Sequence, residues 1–365
     1  VALAQSLIRC ASVTPADAGA LDVVTRAAAG MGFTVHRLMY DGTPNLFCRR
    51  GAGGPHLCFA GHTDVVPPGT TAWSADPFGG EIRDGAVFGR GACDMKGAVA
   101  AFLAAVSRKP KGPGSVSLLI TGDEEGPATG GTVRVLQWMA ERGHIPDFCL
   151  VGEPTNPNCL GEVVKIGRRG SINARVTVTG VQGHVAYPAR VDNPVHRLVA
   201  ALAEIAATRL DEGTEWFEPT SLQVTSVDVG NTATNLVPAS ATARLNIRFN
   251  DRHTGASLEA WLRNMFARHA KDFILEAAIS GEAFLTAPGS ETTRLAAAIE
   301  QVTGIVPKMD TGGGTSDARF ISRYCPVAEF GLVGATMHMT DENVPVADLE
   351  MLTQIYEAVL DAFAA

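Results

Sequence analysis

The sequence predicts an α/β protein in which a mostly parallel sheet is covered by helices and is interrupted by an inserted α+β domain. In the first half of the chain, short apolar runs alternate with helical patterns, which is typical of parallel strands buried on both faces. In the middle, strands with alternating polar and apolar residues follow the order β-α-β-β-α-β. A chain of 365 residues is also longer than single cores usually become, which favours two domains.

The elements of the first domain are predicted from their hydrophobic pattern. Helices are predicted over 15–31 and 96–108, and strands over 57–60, 116–120, 148–151 and 327–332. In parallel sheets of this kind, the binding crevice lies beyond the carboxyl ends of the strands. Polar residues that directly follow these strands are therefore candidate functional residues.

The inserted domain is predicted over residues 169–284, between two parts of the first domain at 1–168 and 285–365. Its predicted strands and helices, in chain order, are 173–179, 194–209, 221–229, 242–249, 256–270 and 273–279. This order is that of the split βαβ, or ferredoxin-like, arrangement.

Composition limits the class of protein. A chain that is 46% hydrophobic and 19% charged has the balance of a folded soluble protein, and its net charge of −8 argues against a nucleic-acid partner. We find neither an export signal nor the ~20 apolar residues that a membrane span needs. Seven cysteines without framework spacing indicate reduced thiols, so we expect a cytoplasmic protein with no membrane partner.

Acid and imidazole residues follow the ends of several predicted strands and make a chemically complete set for two zinc ions. Two such ions lie roughly 3.5–4 Å apart and usually share one carboxylate, while other carboxylates and imidazoles complete each site. A further carboxylate must stay free to accept a proton from water. The candidates are His62, Asp94, Glu124, Glu125, Glu153 and His338.

Glu124 and Glu125 can divide these two tasks, because neighbouring residues in an extended chain point to opposite sides. Each candidate also has a simpler explanation. His62 could be a hydrogen-bonded structural residue, Asp94 could cap the helix that follows it, and Glu153 could be an ordinary loop acid. The metal interpretation is favoured because the alternative requires all of these coincidences together.

Seven motifs resemble, in the same order, those of the di-zinc aminoacylase and carboxypeptidase superfamily. They occupy residues 61–67, 89–97, 121–126, 152–155, 168–171, 183–188 and 311–317. The first four motifs are found throughout that superfamily, and the last three resemble those of members that remove a succinyl group. The chain departs from the pattern at Cys93, where alanine is commoner, and at the Asp341–Glu342 pair after His338.

The resemblance implies a division of roles at the metal site. The implied ligands of the two zinc ions are His62, Asp94 and Glu153 for one, and Asp94, Glu125 and His338 for the other. Glu124 would be the general base, and Asp64 would orient His62. The resemblance also implies a cis peptide bond between Asp94 and Met95, and Co²⁺ could replace zinc.

The resemblance further implies a homodimer in which His184 enters the partner's active site and donates to the developing oxyanion. The positions implied to hold the succinyl and amino-acid parts of the substrate are Ser171, Tyr187, Asn235, Arg248, Gly314 and Thr315. Simpler explanations stay open, since His184 could be a surface residue, Arg248 could pair with a local acid, and the glycines at 312–314 could form a flexible turn.

The implied activity is zinc-dependent hydrolysis of the amide of N-succinyl-L,L-2,6-diaminopimelate, in the synthesis of lysine and cell-wall precursors. The alternatives are a related deacylase or peptidase acting on N-acetylornithine, an N-acyl amino acid or a short peptide. From another class, the chain could be a metal-free binding or regulatory protein, but the complete ligand set argues against this.

Overall fold

A computed structural model describes residues 1–109 and 114–364. The chain divides into two compact units, which are described separately. The first consists of Val1–Ile166, Thr286–Asp310 and Ser316–Ala365, and the second of Gly167–Leu285 and Thr311–Thr315. The second unit thus takes in a short segment, 311–315, that the sequence analysis assigned to the other domain.

The part of the chain before the second unit carries strands and helices of the first unit. The strands are β1 Thr34–Tyr40, β2 Thr43–Gly51, β3 His56–His62, β4 Glu81–Arg83, β5 Ala86–Phe88, β6 Ser115–Thr121, β7 Phe148–Val151 and β8 Val163–Lys165. The helices are α1 Ala2–Ile8, α2 Ala20–Gly30, α3 Gly97–Arg108 and α4 Thr132–Glu141, with a π-helical turn at Ala92–Lys96.

The second unit follows. Its strands are β9 Gly167–Arg168, β10 Gly170–Thr179, β11 Gly183–His184, β12 Ser221–Asp228, β13 Leu236–Val237, β14 Ser240–Phe249, β15 Phe273–Gly281 and β16 Phe284–Leu285. Its helices are α5 Pro194–Ala207 and α6 Gly255–His269, with a 3₁₀ turn at Pro188–Arg190. The first unit then resumes with α7 Ser290–Thr303, β17 Lys308–Asp310, α8 Ala318–Ile321, β18 Val327–Glu329, β19 Asn343–Pro345 and α9 Val346–Ala364.

The first unit is built on a mixed sheet with the strand order β1-β2-β6-β3-β7-β18-β8-β17. The central pairs β6–β3, β3–β7 and β7–β18 are parallel, whereas β1–β2 and β2–β6 at one edge are antiparallel. Every residue of β3 is buried. Phe59 of this strand stacks on Phe102 of α3 at a ring-centroid distance of 4.3 Å. The predicted α/β class with a mostly parallel sheet is confirmed.

The parallel strands bring their carboxyl ends to one edge of the sheet. His62, the last residue of β3, is the register partner of Thr121 at the end of β6, and Ala60 is the partner of Val151 at the end of β7. Residues that leave these three strands therefore emerge side by side, which places the segments carrying His62, Glu124 and Glu153 close together.

The second unit contains an antiparallel sheet with the strand order β12-β14-β10-β15. This is the order that the predicted split βαβ arrangement requires. In β10 the residues alternate, so that Ile172 and Ala174 are buried while Asn173 and Arg175 are exposed. The buried set packs with α5 and α6 into one core, which also includes Phe249 and Leu258. The opposite face includes the cross-strand pairs Asn173–Asn246 and Arg175–Arg244.

One predicted helix begins later than expected. The pattern predicts a helix from residue 15, but α2 begins at Ala20. The Asp17 carboxylate accepts hydrogen bonds from the N–H groups of Gly19 and Leu21, and Gly19 has a left-handed φ of 85°. These features form a turn that precedes the helix. Among the described residues, no helix is long and apolar enough to cross a membrane.

We expect Gly170→Ala to destabilise the second unit. A Cβ atom at this position would lie 2.2 Å from Cζ of Phe249, a ring that is fully buried and cannot move freely. Overpacking of this kind typically costs about 1–3 kcal/mol of unfolding free energy. Denaturant unfolding measures the change. Gly30→Ala is the control, since no atom of the described part of the chain lies within 4 Å of a Cβ there; equal effects of the two substitutions would contradict the packing argument.

Candidate metal centre

The Asp94 carboxylate lies between two imidazoles of the first unit and presents one oxygen to each. Its Oδ1 is 3.2 Å from Nε2 of His62, and its Oδ2 is 3.1 Å from Nε2 of His338. A carboxylate placed in this way has the geometry of a bridging ligand, since each oxygen can serve a different ion.

Two overlapping groups of ligand atoms share Asp94. In the first, Nε2 of His62 is also 3.6 Å from Oε1 of Glu153, and in the second, Nε2 of His338 is 2.8 Å from Oε1 of Glu125. Within each group, the candidate ligand atoms all lie within 4.8 Å of one another. The structure thus brings together the five side chains that the sequence analysis selected as ligands. A third group, with the same spacing, contains His62, Glu124 and Glu125.

Different kinds of backbone carry these side chains. His62 ends β3, whereas Glu125 and Glu153 follow β6 and β7 at the shared strand ends. Asp94 lies in the π-helical turn before α3, and its peptide bond to Met95 is cis, as the family resemblance implied. His338 lies in a loop after β18 and has a positive φ of 61°. Two of the five positions therefore depend on irregular backbone.

Asp64 acts on both His62 and the two glutamates. Its backbone carbonyl lies 2.8 Å from Nδ1 of His62, which must therefore donate, so Nε2 is the ring nitrogen that faces Asp94. Its carboxylate accepts hydrogen bonds from the N–H groups of Glu124 and Glu125, at 3.3 and 3.0 Å. Carboxylate oxygen Oδ1 is 3.6 Å from Nδ1 of His62. The backbone carbonyl of Asp64 therefore accepts the hydrogen bond that orients His62.

The site concentrates negative charge that basic side chains do not balance. Among the described residues, no lysine or arginine lies within 4.0 Å of the carboxylates of Asp94, Glu124, Glu125 or Glu153. Burial raises the pKa of Glu124 to about 8; the His62 imidazole opposes this rise, and the neighbouring carboxylates of Asp317, Glu125 and Asp94 add to it. Burial, together with Asp94 and Glu124, likewise raises the pKa of Glu153 well above its ordinary range.

The imidazoles respond in the opposite sense. Hydrogen bonds to Asp94 and Glu125 raise the pKa of His338 to about 10. Burial alone would lower the pKa of His62, but contacts with Asp94 and Glu153 raise it well above its ordinary value. Both imidazoles therefore favour their protonated, positively charged forms in this site. Bound divalent cations would supply positive charge in place of these protons, and zinc is bound in proteins by imidazole nitrogen and carboxylate oxygen.

The candidate substrate residues all lie in the second unit. Ser171 and Arg248 are direct partners on β10 and β14. His184 and Tyr187 have ring centroids 5.7 Å apart, and the carbonyl of Asn235 accepts a hydrogen bond from the N–H of Val185, between them in sequence. The remaining candidates, Gly314 and Thr315, lie in the short segment 311–315. Of these residues, Ser171 is buried, and Tyr187 is 57% exposed.

The structure brings Asp317, to which the sequence pattern gives no role, into the electrostatic environment of Glu124. Its side chain is 6% exposed, burial raises its pKa, and its Oδ1 atom has no hydrogen-bond partner among the residues that the structure describes. Asp317 directly precedes α8. An aspartate before a helix is ordinarily interpreted as a cap, so no local signal distinguished it.

The match to a known family extends over most of the chain. Residues 58–362 match the model of peptidase family M20/M25/M40. The chain therefore belongs to this family.

Two relatives with curated names are similar over nearly their whole length. The succinyl-diaminopimelate desuccinylase of Gluconacetobacter diazotrophicus is 64% identical, over 98% of this chain and 95% of the relative. The protein of the same name from Granulibacter bethesdensis is 60% identical, over 100% of this chain and 97% of the relative.

Solved structures show the same fold at low sequence identity. The aminopeptidase PepT from Bacillus cereus has a TM-score of 0.80 at 20% identity, covering 99% of this chain and 97% of that chain. An M20 family metallo-carboxypeptidase from Sulfolobus solfataricus has a TM-score of 0.79 at 15% identity, covering 99% and 98%. The overall fold is thus shared with both of these proteins.

We expect the metal-free protein to lose stability as the pH rises from 6.5 toward 10. His338 has an ordinary pKa of 6.5, which rises to about 10 in the folded protein, so the folded state holds this proton more tightly. Its contribution is complete below pH 6.5 and is lost as the pH passes 10. Glu124, whose folded pKa is about 8, changes stability in the same direction.

Thermal unfolding of the metal-free protein between pH 6.5 and 9 measures this effect. The decline should be shallower in His338→Asn, which lacks the titrating group. It should also be shallower with saturating zinc, because cations replace the protons. A melting temperature that is constant or rises over this range would contradict the prediction.

Proposed function

We propose that this chain is a zinc-dependent amidohydrolase that converts N-succinyl-L,L-2,6-diaminopimelate to succinate and L,L-2,6-diaminopimelate. The activity would serve the synthesis of lysine and cell-wall precursors. Full-length identity of 60–64% to curated relatives of this activity supports the substrate. The observation that carries the chemistry is the Asp94 carboxylate, which presents one oxygen to each of two imidazoles.

Two zinc ions would be held by the two groups that share Asp94. His62 and Glu153 complete one group, and Glu125 and His338 complete the other. When bound, the ions would polarise the amide carbonyl and increase the acidity of the attacking water. Their charge would also balance the buried carboxylates, which otherwise repel one another.

Glu124 would move the proton. Its side chain belongs to neither of the groups that contain Asp94, so it stays available when those groups are occupied. It would accept a proton from the attacking water and return it to the amine that leaves. The hydrogen bond from its backbone N–H to Asp64 fixes the segment that carries it, so the carboxylate is held in position for this transfer.

Arg248 is the strongest candidate for the succinyl carboxylate. Its planar guanidinium can bind both carboxylate oxygens, and it lies opposite Ser171 on the neighbouring strand. Its Nε atom donates to Oδ1 of Asn246 at 3.2 Å, which limits its rotation. We assign the other contacts of the substrate to the remaining candidates, which are Tyr187, Asn235, Gly314 and Thr315.

The protein would act as a homodimer formed through the second unit. Helix α5 exposes Val199, Ala200 and Ala203, and Val199 is 54% exposed. Strand β12 forms one edge of the four-stranded sheet. An apolar helix face and an open strand edge suit an isologous contact between two copies. His184 would then act in the active site of the partner subunit.

All seven cysteines are free, which supports a place in the cytoplasm.

We expect the zinc-loaded protein to hydrolyse the succinylated substrate much faster than N-acetylornithine.

We expect Glu124→Gln to retain both zinc ions, because it changes no proposed ligand. Its rate should fall by about 10²–10⁴, the typical effect of removing a general base. Initial rates of succinate release, with metal analysis of the same samples, measure both quantities.

Glu141→Gln is the matched control, because Glu141 ends helix α4 and its side chain is 71% exposed. Faster turnover of acetylated or peptide substrates would reject the proposed substrate and leave the hydrolase class intact. Near-normal turnover by zinc-loaded Glu124→Gln would reject Glu124 as the base.

We also expect activity to return when inactive Glu124→Gln and His184→Ala subunits are mixed. If His184 acts on the partner, a mixed dimer contains one site with both an intact Glu124 and an intact His184. Recovery should then approach one working site per mixed dimer. Size-exclusion chromatography and differently tagged subunits establish that exchange has occurred. Exchange without recovery would show that His184 serves its own subunit or has no catalytic role.

A further inference from the structure

Arg90 and Glu342 form a buried ion pair that has no role in the catalytic proposal above. Arg90 is 2% exposed and Glu342 is 0% exposed. The Nη1 atom of Arg90 donates to Oε2 of Glu342 at 2.6 Å. Burying two charges is expensive, and a well-packed apolar pair is often at least as stable. The pair therefore calls for an explanation other than stability alone.

The second oxygen of Glu342 holds the turn that carries Asp94. Its Oε1 accepts hydrogen bonds from the backbone N–H groups of Cys93 and Asp94, at 3.0 and 3.2 Å. The Cys93 thiol donates to the same oxygen at 3.4 Å. Three donors on one carboxylate oxygen fix the backbone of the turn, so the Asp94 side chain leaves it in a defined direction.

The other arm of Arg90 holds the segments that carry His62 and His338. Its Nη2 atom donates to the carbonyl of His338 at 3.3 Å and to the carbonyl of Pro67, five residues after His62, at 3.4 Å. Its Nη1 atom also lies 3.3 Å from the carbonyl of Met339. His338 has a positive φ, a conformation that is unfavourable for a residue with a side chain and needs such support.

We propose that the Arg90–Glu342 pair is a positioning device that assembles the metal centre by fixing the backbone of Asp94 relative to that of His338. Glu342 fixes the bridging carboxylate, and Arg90 fixes the imidazole on one side of it. The rigid fork of a guanidinium is required, because a single ammonium cannot reach Glu342 and all three carbonyls in these directions. This inference rests on the proposed metal-dependent function.

The test is a stepwise zinc titration of Arg90→Lys and Glu342→Gln against a chromophoric chelator. Loss of an outer partner of a metal ligand typically weakens metal binding 10–100-fold. Arg90→Lys keeps the charge but loses the planar fork, so it should weaken mainly the binding of the ion held by Asp94, Glu125 and His338. Glu342→Gln should weaken the binding of both ions, since Asp94 is a proposed ligand of both. The absorption spectrum of the Co²⁺-loaded protein should change in both variants, because the geometry of the ligands changes.

The exposed pair Arg108–Glu357, with Nη1 2.8 Å from Oε1, supplies matched controls. Arg108→Lys and Glu357→Gln should leave zinc affinity and the Co²⁺ spectrum unchanged. Melting temperatures of the metal-free variants separate a loss of folding from a loss of positioning. If Glu342→Gln does not fold, Arg90→Lys decides the question.

Wild-type zinc affinities at both sites in folded Arg90→Lys, with an unchanged Co²⁺ spectrum, would overturn the inference even if the melting temperature falls. The wild-type protein is titrated first. If it does not bind two zinc ions, the proposed function itself fails. The titration thereby distinguishes a failure of the proposed function from a failure of the positioning role.

Discussion

Buried negative charge is the constraint on which the first unit depends. Asp94 and Glu153 are at most 9% exposed, and Glu124 and Glu125 adjoin them. Such charges are costly to bury unless they are paired or protonated. The two imidazoles balance only part of this charge. The fold therefore has to hold repelling groups close together, and it does so with rigid strands and buried hydrogen bonds, including those of the Arg90–Glu342 pair, rather than with basic side chains that contact the ligand carboxylates directly.

The sequence predicts those parts of the site that depend on local pattern. The apolar runs of β3, β6 and β7 identify strands, and strand ends identify His62, Glu125 and Glu153, since parallel strands share an edge. Asp94 and His338 were also expected to follow the ends of strands, but the structure places them on irregular backbone. This backbone depends on the Arg90–Glu342 pair, whose members are 252 residues apart in sequence. The local pattern therefore indicated these two residues but not the backbone that holds them.

The fold shows the same difference between elements that a local pattern predicts and elements that depend on tertiary contacts. The strands and helices of the inserted domain were predicted well, because each buries one face and shows a clear period. The edge strand β1 and its neighbour β2 were missed. Strand β1 alternates between exposed and half-buried residues, and Arg49 and Arg50 interrupt the apolar pattern of β2 before its last residue, so neither has a continuous apolar pattern. The sequence pattern also did not indicate that segment 311–315 groups with the second unit. Its membership depends on tertiary contacts, which a glycine-rich sequence does not encode locally.

The structure uses one hydrogen-bonding arrangement twice around the site. Asp64 accepts the consecutive N–H groups of Glu124 and Glu125, and Glu342 accepts those of Cys93 and Asp94. In both cases a buried carboxylate outside the proposed ligand set fixes the backbone of a segment that supplies a ligand. Hydrogen bonds to a charged acceptor are stronger than neutral ones, and backbone donors leave the ligand side chains free. The direction of each ligand is thus set by the protein itself, which explains how repelling carboxylates can already converge before a cation balances their charge.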